Sequence, residues 1–371
     1  MRGYMTSNQA AWLLFVFLTS SSIINIPAPL ISYAGNIAWL SLPIAATFGL
    51  ALLLLLLKLA RQYAGKNLIE YSQATIGFTA TMVLGLAFLY YQVHMASTIV
   101  LDVAMFMRSS MMRNTPSYWF IFLLLTVAAI TVRAGIDKFA GMFPVIMVSV
   151  VGFTSLIVLM SINNYDVGNL LPLMPDGVKP LLHGVYFTMG VPYIELTLFG
   201  MLLPFIGNPD GKLGRKMTLS LICNMLVLML VTIVSLLVFG PIAGDRKYSM
   251  FEVARTVEVA DVFQRIEALM GYAVIAAAFM KTTIVLFSAH QTLIHLLVRK
   301  EDKMLIYPLA ALMAIVSYSS LRDGEAHWIQ LITSVHPLWG LTSAAAPLLL
   351  VGLIAWLRGK KKPPSADQQG G

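Results

Sequence analysis

Ionisable side chains inside long apolar runs are the first sign of chemistry in this sequence. Glu195 and Lys281 each lie well inside such a run, and His94, Thr98 and Asp102 follow one another at four-residue intervals in another. A charge near the middle of a bilayer costs at least about 2.5–3.5 kcal/mol, so an ionisable residue there usually serves a function or a paired structural role. We therefore expect Glu195 and Lys281 to be functional, and His94 and Thr98 to contribute to a polar core on one helix face.

Each of these residues also has a structural interpretation. Glu195 and Lys281 would form a pair that simply lets the apolar chain fold, His94 would pack through a hydrogen bond, and Asp102 would be a solvated helix end. The residue types alone do not separate the two interpretations.

Two of the apolar runs contain residues that interrupt a helix. One combines Thr19, three serines and, after Asn25, the prolines Pro27 and Pro29; the other contains Met189-Gly190-Val191-Pro192-Tyr193. Proline removes a backbone hydrogen bond, and unwound backbone is tolerated inside a membrane only where it is buried or lines a cavity. We expect a ligand site at these breaks, formed by Ser20, Ser21, Ser22, Ile23, Met189, Gly190, Tyr193 and Glu195. Two simple proline kinks are the alternative.

Composition decides the class of protein that must position these residues. Of the 371 residues, 58% are apolar and 11% are charged, against roughly 45–50% and about 25% in soluble domains. The net charge of +8 is scattered between apolar runs, which excludes a nucleic-acid-binding surface, and the single Cys223 excludes an internal disulfide. The sequence contains no phosphate-binding loop, zinc-binding helix or nucleophile elbow, so we expect no enzyme activity, cofactor or metal.

The apolar runs predict an all-α integral membrane protein of ten transmembrane helices in a single domain, residues 1–371, with a cytoplasmic tail at 358–371. The expected spans are 9–33, 38–58, 78–106, 117–133, 140–161, 181–205, 216–240, 266–297, 304–321 and 336–357. The broken spans, the first and the sixth, are five apart, as expected for two inverted repeats of five helices that bind a substrate at their interface.

The basic residues predict the orientation. With both termini on the cytoplasmic side, inner segments carry 16 Lys and Arg residues and outer segments carry 8, which agrees with the positive-inside rule. The first apolar run continues past Ser20 without a small-residue cleavage site, so we expect a retained span instead of a signal peptide.

The order of motifs along the chain resembles the B subunits of nutrient germinant receptors of endospore-forming bacteria, a branch of the amino acid–polyamine–organocation transporter superfamily. The strongest similarities are Pro192-Tyr193-Ile194-Glu195 followed by Pro204, and Phe263-Gln264-Arg265-Ile266-Glu267 followed by Phe279-Met280-Lys281-Thr282-Thr283. Weaker ones are Asn67–Tyr71 with Gly77, Thr115-Pro116, Gly135 with Pro144, and 166–172 with Gly177 and Gly184.

Three positions depart from the family pattern. Ile194 replaces a glycine before the glutamate, Ser20–Ser22 replace small glycine-rich residues at the first break, and Gly141 stands where a basic residue is usual, with Lys138 nearby. These differences leave the fold unaffected, but they alter the expected pocket and therefore bear on the ligand.

The resemblance implies a LeuT-like bundle in the spore inner membrane that senses a nutrient beside an A-type membrane subunit and a C-type lipoprotein. It also implies an outer amphipathic lid at 245–265. In sodium-coupled relatives, a metal ion joins the first and eighth spans. Lys281 would replace that ion here, held by groups of Ser20–Ser22 and by Thr282 or Thr283, or it would pair with Glu195.

Three functions remain open from the sequence. The chain would be a receptor for a small nutrient, an amino acid above all, that binds between spans one and six. Alternatively it would be an ion- or proton-coupled amino acid permease, or a scaffold subunit without a working pocket.

Overall fold

The computed structural model describes residues 4–175, 177–207, 209–257, 266–298, 302–321 and 324–358. The described chain is mostly helical, with turns, short irregular segments and one isolated bridge between Met5 and Ile206. The last expected segment, 358–371, lies almost wholly outside the described residues.

The α-helices are numbered in chain order. They are α1 Ser7–Thr19, α2 Ser22–Asn25, α3 Pro27–Ala34, α4 Ala38–Gln62, α5 Leu68–Ile76, α6 Phe78–Phe106, α7 Ser117–Ala134, α8 Ile136–Met160, α9 Lys179–Thr188, α10 Leu213–Phe239, α11 Ser249–Arg255, α12 Glu267–Leu296, α13 Ile306–Ser320, α14 Gly324–Gln330, α15 His336–Gly340 and α16 Ala346–Leu357.

Within the described residues, nine helical stretches are long and apolar enough to cross a membrane. The sixth expected span is absent from these nine because it is divided into α9, a π-helical turn at Met189–Ile194 and two 3-10 turns at Glu195–Met201 and Leu203–Phe205. Counting this divided segment, each of the ten apolar runs has a helical counterpart.

Burial divides the bundle into a core and a periphery. Most residues of the first, third and eighth spans are buried, whereas only about a third or fewer are buried in the stretches that contain α7, α8 and α13. In the core, α12 packs along α6, and α1 packs against α10 and α8. Large apolar side chains such as Val145, Leu86 and Ile315 point outward, as expected for helices that face lipid tails.

The first span breaks where the sequence contains consecutive serines. Ser20 has φ −38° and ψ −94°, outside the helical region, and its hydroxyl donates a hydrogen bond to the carbonyl oxygen of Val16. Serine side chains compete with helical hydrogen bonds in this way. After α2, Pro27 begins α3 with a ring that cannot donate to the helix ladder.

The sixth span breaks at Val191, whose φ of −127° and ψ of 112° are those of an extended residue. Pro192 follows, and the pyrrolidine ring disfavours helical backbone in the residue before it. Gly190 lies against Pro337 of α15 so closely that a Cβ there would come within 2.5 Å of the proline ring. The break is therefore packed against the tenth span.

The tenth span begins earlier than expected. Helical structure starts at Gly324 and continues through π-helical turns to Leu357, whereas the sequence placed the start at residue 336. His336 consequently lies within this helical stretch and not at its end.

The expected outer lid is described only in part. Its helix α11 packs Phe251 against Phe106 of α6, with ring centroids 5.2 Å apart. Residues 258–265, which include Val262 and Phe263, lie outside the described residues.

Candidate functional site

A small buried cavity lies where the two helix breaks meet the third, eighth and tenth spans. Its volume is about 30 Å³, which accommodates about two water molecules. Its lining residues are Ser21, Ser22, Asn25, Ile26, Met95, Thr98, Ile99, Asp102, Phe187, Val191, Glu195, Lys281, Trp328, Ile332 and His336. The two breaks therefore share one cavity, because both place residues of irregular backbone in its wall.

A buried ion pair forms one side of this cavity. Lys281 Nζ of α12 lies 2.6 Å from Glu195 Oε2 of the sixth span, and the side chains are only 1% and 3% exposed. Lys281 Nζ also lies 5.4 Å from the centroid of the Phe17 ring in α1, which adds a favourable cation–π contact. Lys281 thus stands at the junction of spans one, six and eight.

The other oxygen of Glu195 contacts the tenth span. His336 Nε2 lies 3.2 Å from Glu195 Oε1 and 3.3 Å from the Tyr91 hydroxyl of α6. The His94 ring packs beside His336 and Trp339, with centroid distances of 5.5 and 4.6 Å. One carboxylate therefore connects the sixth, eighth and tenth spans, and the tenth also packs on the third.

A second polar cluster lies at another side of the cavity. Asp102 Oδ2 accepts a hydrogen bond from Asn25 Nδ2 at 2.6 Å, and Asp102 Oδ1 accepts one from the Tyr248 hydroxyl at 3.1 Å. Asp102 is buried, so it is not the solvated helix end that the sequence allowed. This cluster joins the first span, the third span and the segment that leads into α11.

Several polar atoms of the cavity-lining residues are buried and have no hydrogen-bond partner among the described residues. They are Ser22 Oγ, Asn25 Oδ1, Trp328 Nε1 and His336 Nδ1. Buried polar atoms are nearly always paired in native proteins, so unpaired ones in a single cavity require a specific explanation. The set contains a hydroxyl and an indole N–H, which donate, and an amide oxygen, which accepts.

The structure separates the expected ligand residues into two groups. Ser21, Ser22 and Glu195 line the cavity, together with Lys281 and Thr98 from the other expected sets.

The remaining expected residues lie elsewhere. The Ser20 hydroxyl donates to the carbonyl oxygen of Val16 in its own helix, and Ile23 lies in the apolar core. Gly190 packs against Pro337, and Tyr193 packs against Gly49 of α4. Met189 is partly buried in the apolar packing outside the cavity lining, and His94 lies behind His336.

Of the two arrangements expected for Lys281, the structure shows the pair with Glu195 and not the one in which groups of Ser20–Ser22 hold the ammonium. Among the described residues its ion-pair partner is Glu195, and no hydrogen bond joins it to Ser20–Ser22. The Thr283 hydroxyl donates to the carbonyl oxygen of Phe279, and the buried Thr282 hydroxyl has no partner in the described chain. The lysine at this junction is thus balanced by a carboxylate from the sixth span.

Sequence reasoning missed His336, Trp328, Asn25 and Tyr248 as site residues. Asn25 carried a usable signal, because an amide two residues before Pro27 lies at the expected break. His336 and Trp328 were missed because the start of the tenth span was placed at residue 336. In the described residues no group of three metal-binding side chains comes together.

The spore germination protein family model matches residues 4–323, which covers most of the chain and both helix breaks. The chain belongs to the spore germination protein family. The resemblance seen in its motifs is therefore confirmed.

Two relatives of this chain come from Bacillus subtilis strain 168. Spore germination protein KB is 22% identical over 318 residues, which cover 85% of this chain and 84% of the relative. Spore germination protein YndE is 21% identical over 365 residues, which cover 96% and 98% of the two chains. The similarity to YndE therefore extends over almost the whole of both chains.

Comparison with solved structures identifies the fold of this helical bundle. A Na⁺-coupled sialic acid symporter in a substrate-bound, outward-open state has a TM-score of 0.69 at 13% identity and covers 95% of this chain and 90% of its own. A mutant form of the manganese transporter of Eremococcus coleocola has a TM-score of 0.64 at 13% identity, with 93% and 78% covered. The family member thus has the LeuT-like transporter fold with broken first and sixth helices, as the sequence predicts.

Proposed function

We propose that this protein is the nutrient-sensing membrane subunit of a spore germinant receptor and that its ligand is a small amino acid bound between the breaks of spans one and six. The observation that carries the proposal is the set of unpaired buried polar atoms around one cavity at these breaks. Family membership supports a role in germination, because the family model covers the same spans.

The cavity supplies the chemistry that a zwitterion requires. The Ser22 hydroxyl and Trp328 Nε1 can donate hydrogen bonds to a carboxylate. Asn25 Nδ2 donates to Asp102, so its Oδ1 remains as an acceptor for an ammonium group. A purely apolar ligand would leave all three atoms unpaired, at a cost of about 1–3 kcal/mol each.

The size of the cavity argues for a receptor that changes conformation. About 30 Å³ is too small for an amino acid, so binding requires the walls to separate. A ligand that binds only the opened form shifts the population toward that form by its differential affinity. An A-type membrane subunit and a C-type lipoprotein in the spore inner membrane would detect this shift.

The direct test is a germination assay with spores that contain this chain as their only B subunit, together with its A and C partners. A panel of single amino acids should include at least one that triggers germination. Ser21→Leu, which fills the cavity wall, should abolish that response at an unchanged membrane level of the protein. Ser319→Leu, an exposed position on α13, is the matched control and should respond normally. An unchanged dose response in Ser21→Leu would contradict the proposed site.

A permease is the second candidate function, and it is favoured by the fold of the two transporters described above. Proteoliposomes that contain this chain alone would then accumulate a labelled amino acid, and a proton or ion gradient would drive the uptake. Binding of the amino acid without accumulation would favour the receptor. A chain that binds no amino acid at all would instead be a scaffold for the A and C partners.

A further inference from the structure

A polar cleft that is separate from the central cavity lies where the third span ends and the fourth begins. It has a volume of about 410 Å³. Its walls come from the π-helical turn Met107–Met111, the following loop, the first turn of α7 and the end of α13. Its lining includes the side chains of Arg108, Arg113, Ser117, Tyr118 and Tyr318.

Two positively charged side chains line this cleft. Arg108 and Arg113 both line it, and neither makes an ion pair within the described part of the chain. No aspartate or glutamate is among the described lining residues. Two guanidinium groups together attract an oxyanion and can bind two of its oxygens at once.

The first turn of α7 adds backbone donors to the same cleft. This helix has 18 residues, and Pro116 at its N-cap position provides no side-chain hydrogen bond to the first turn. The first N–H groups of a helix lack partners within it, and the helix dipole favours negative charge at this end. In α7 the Trp119 N–H donates to the carbonyl oxygen of Pro116, which leaves the N–H groups of Ser117 and Tyr118 for an anion in the cleft.

Ser117 provides the independent observation that points to a ligand. It is the first residue of α7, it lines the cleft, and it is 6% exposed. Its hydroxyl is buried and has no hydrogen-bond partner among the described residues. An unpaired hydroxyl at a helix N-terminus, in a cleft that two arginines also line, can donate a hydrogen bond to an oxyanion.

We propose that this cleft binds a phosphate group through Arg108, Arg113, Ser117 and the N-terminal amides of α7. Tyr118 and Tyr318, which line the cleft, and Trp119, the neighbour of Tyr118, are exposed, as aromatic side chains are at the membrane–water interface. That depth is where lipid phosphates lie, so the phosphate comes from an anionic lipid headgroup or from solution. An anionic lipid headgroup and free phosphate would both present a phosphate group to these residues.

The experiment uses the purified full-length chain and has two arms. In the first, inorganic phosphate is titrated at constant ionic strength and the thermal unfolding midpoint is recorded. In the second, nanodiscs of mixed phosphatidylglycerol and phosphatidylcholine are prepared, and native mass spectrometry counts the lipids retained. Phosphate stabilisation assigns a soluble anion, retention of phosphatidylglycerol assigns a lipid, and either result supports the site.

Matched variants connect the binding to the cleft. Arg108→Gln/Arg113→Gln should weaken binding at least tenfold, and Ser117→Ala should weaken it about threefold. Ser117→Asp should abolish binding while keeping the helix stable, because its own carboxylate then occupies the N-terminus of α7. Lys58→Gln/Lys179→Gln removes the same charge at exposed positions elsewhere and should bind as the wild type does. Absence of binding in both arms, or equal binding by the Arg108→Gln/Arg113→Gln variant, would overturn the proposal.

Discussion

Lys281 Nζ and Glu195 Oε2 are 2.6 Å apart, and both side chains are buried inside the bundle. The pair joins the eighth span to the irregular part of the sixth, and His336 extends the connection to the tenth. Two charges removed from solvent stabilise one another only while both are present, because either one alone is left uncompensated in an apolar interior. The break of the sixth span is therefore electrostatically tied to its neighbours.

We expect the variants Glu195→Gln and Lys281→Met to be destabilised by about 3–5 kcal/mol each, the usual effect of removing one partner of a buried pair. The double variant Glu195→Gln/Lys281→Met should recover most of this loss, because no unpaired charge remains. Thermal unfolding of the purified chains and immunoblots of spore membranes measure the effect. Lys58→Met, at an exposed lysine, should be neutral.

The same variants distinguish a functional pair from a structural one. If the charges take part in sensing, the double variant will be present at a normal level and will still fail to respond to the nutrient. Recovery of both the protein level and the germination response would leave only the structural role for Glu195 and Lys281.

Lys281 also bears on ion dependence. We propose that its ammonium group supplies a fixed positive charge at the junction of spans one and eight, beside Phe17 and Glu195. Germination, or nutrient binding by the purified chain, should then be equally sensitive to nutrient in sodium and in potassium buffers. A requirement for sodium in the wild type would show that Lys281 is not a substitute for a bound cation.

Much of the bundle was predictable because membrane burial imposes strong rules on residue types. Runs of about 20 apolar residues predict the spans, and serines or prolines inside a run predict where the helix breaks. Glu195 and Lys281 were found because charged residues are rare inside such runs.

The contacts within the site could not be predicted from individual apolar runs, because they depend on how the helix turns at its break and on which spans pack together. Ser20 and Ser21 are adjacent residues of one type, yet only Ser21 lines the cavity, because the break rotates the chain between them. His336 meets Glu195 across 141 residues of sequence. It looked like a helix end because polar residues such as Gln330 and Ser334 interrupt the preceding apolar run.

The second polar cluster leads to a prediction about Tyr248. Its hydroxyl donates to Asp102, which also binds Asn25 at the first break. A hydrogen bond to a charged group contributes about 1.5–3 kcal/mol, so Tyr248→Phe should lower the unfolding midpoint and shift the nutrient concentration for half-maximal germination. Tyr90→Phe, at an exposed tyrosine of α6, is the control and should change neither. Wild-type values in Tyr248→Phe would show that this bond does not affect the site.

The packing of the sixth span on the tenth can be tested at Gly190, where there is no room for a side chain. An added Cβ would lie 2.5 Å from Pro337 Cβ and 2.6 Å from its Cα. Because backbone must move to relieve this overlap, Gly190→Ala should destabilise the protein by about 1–3 kcal/mol. His336 is adjacent to Pro337, so the shift should also disturb its contact with Glu195 and weaken the nutrient response. Gly152→Ala, in α8 where nothing lies within 4 Å of the new Cβ, should be neutral or stabilising by up to about 1 kcal/mol. Equal unfolding midpoints and equal dose responses for the two variants would show that close packing at Gly190 does not matter for the site.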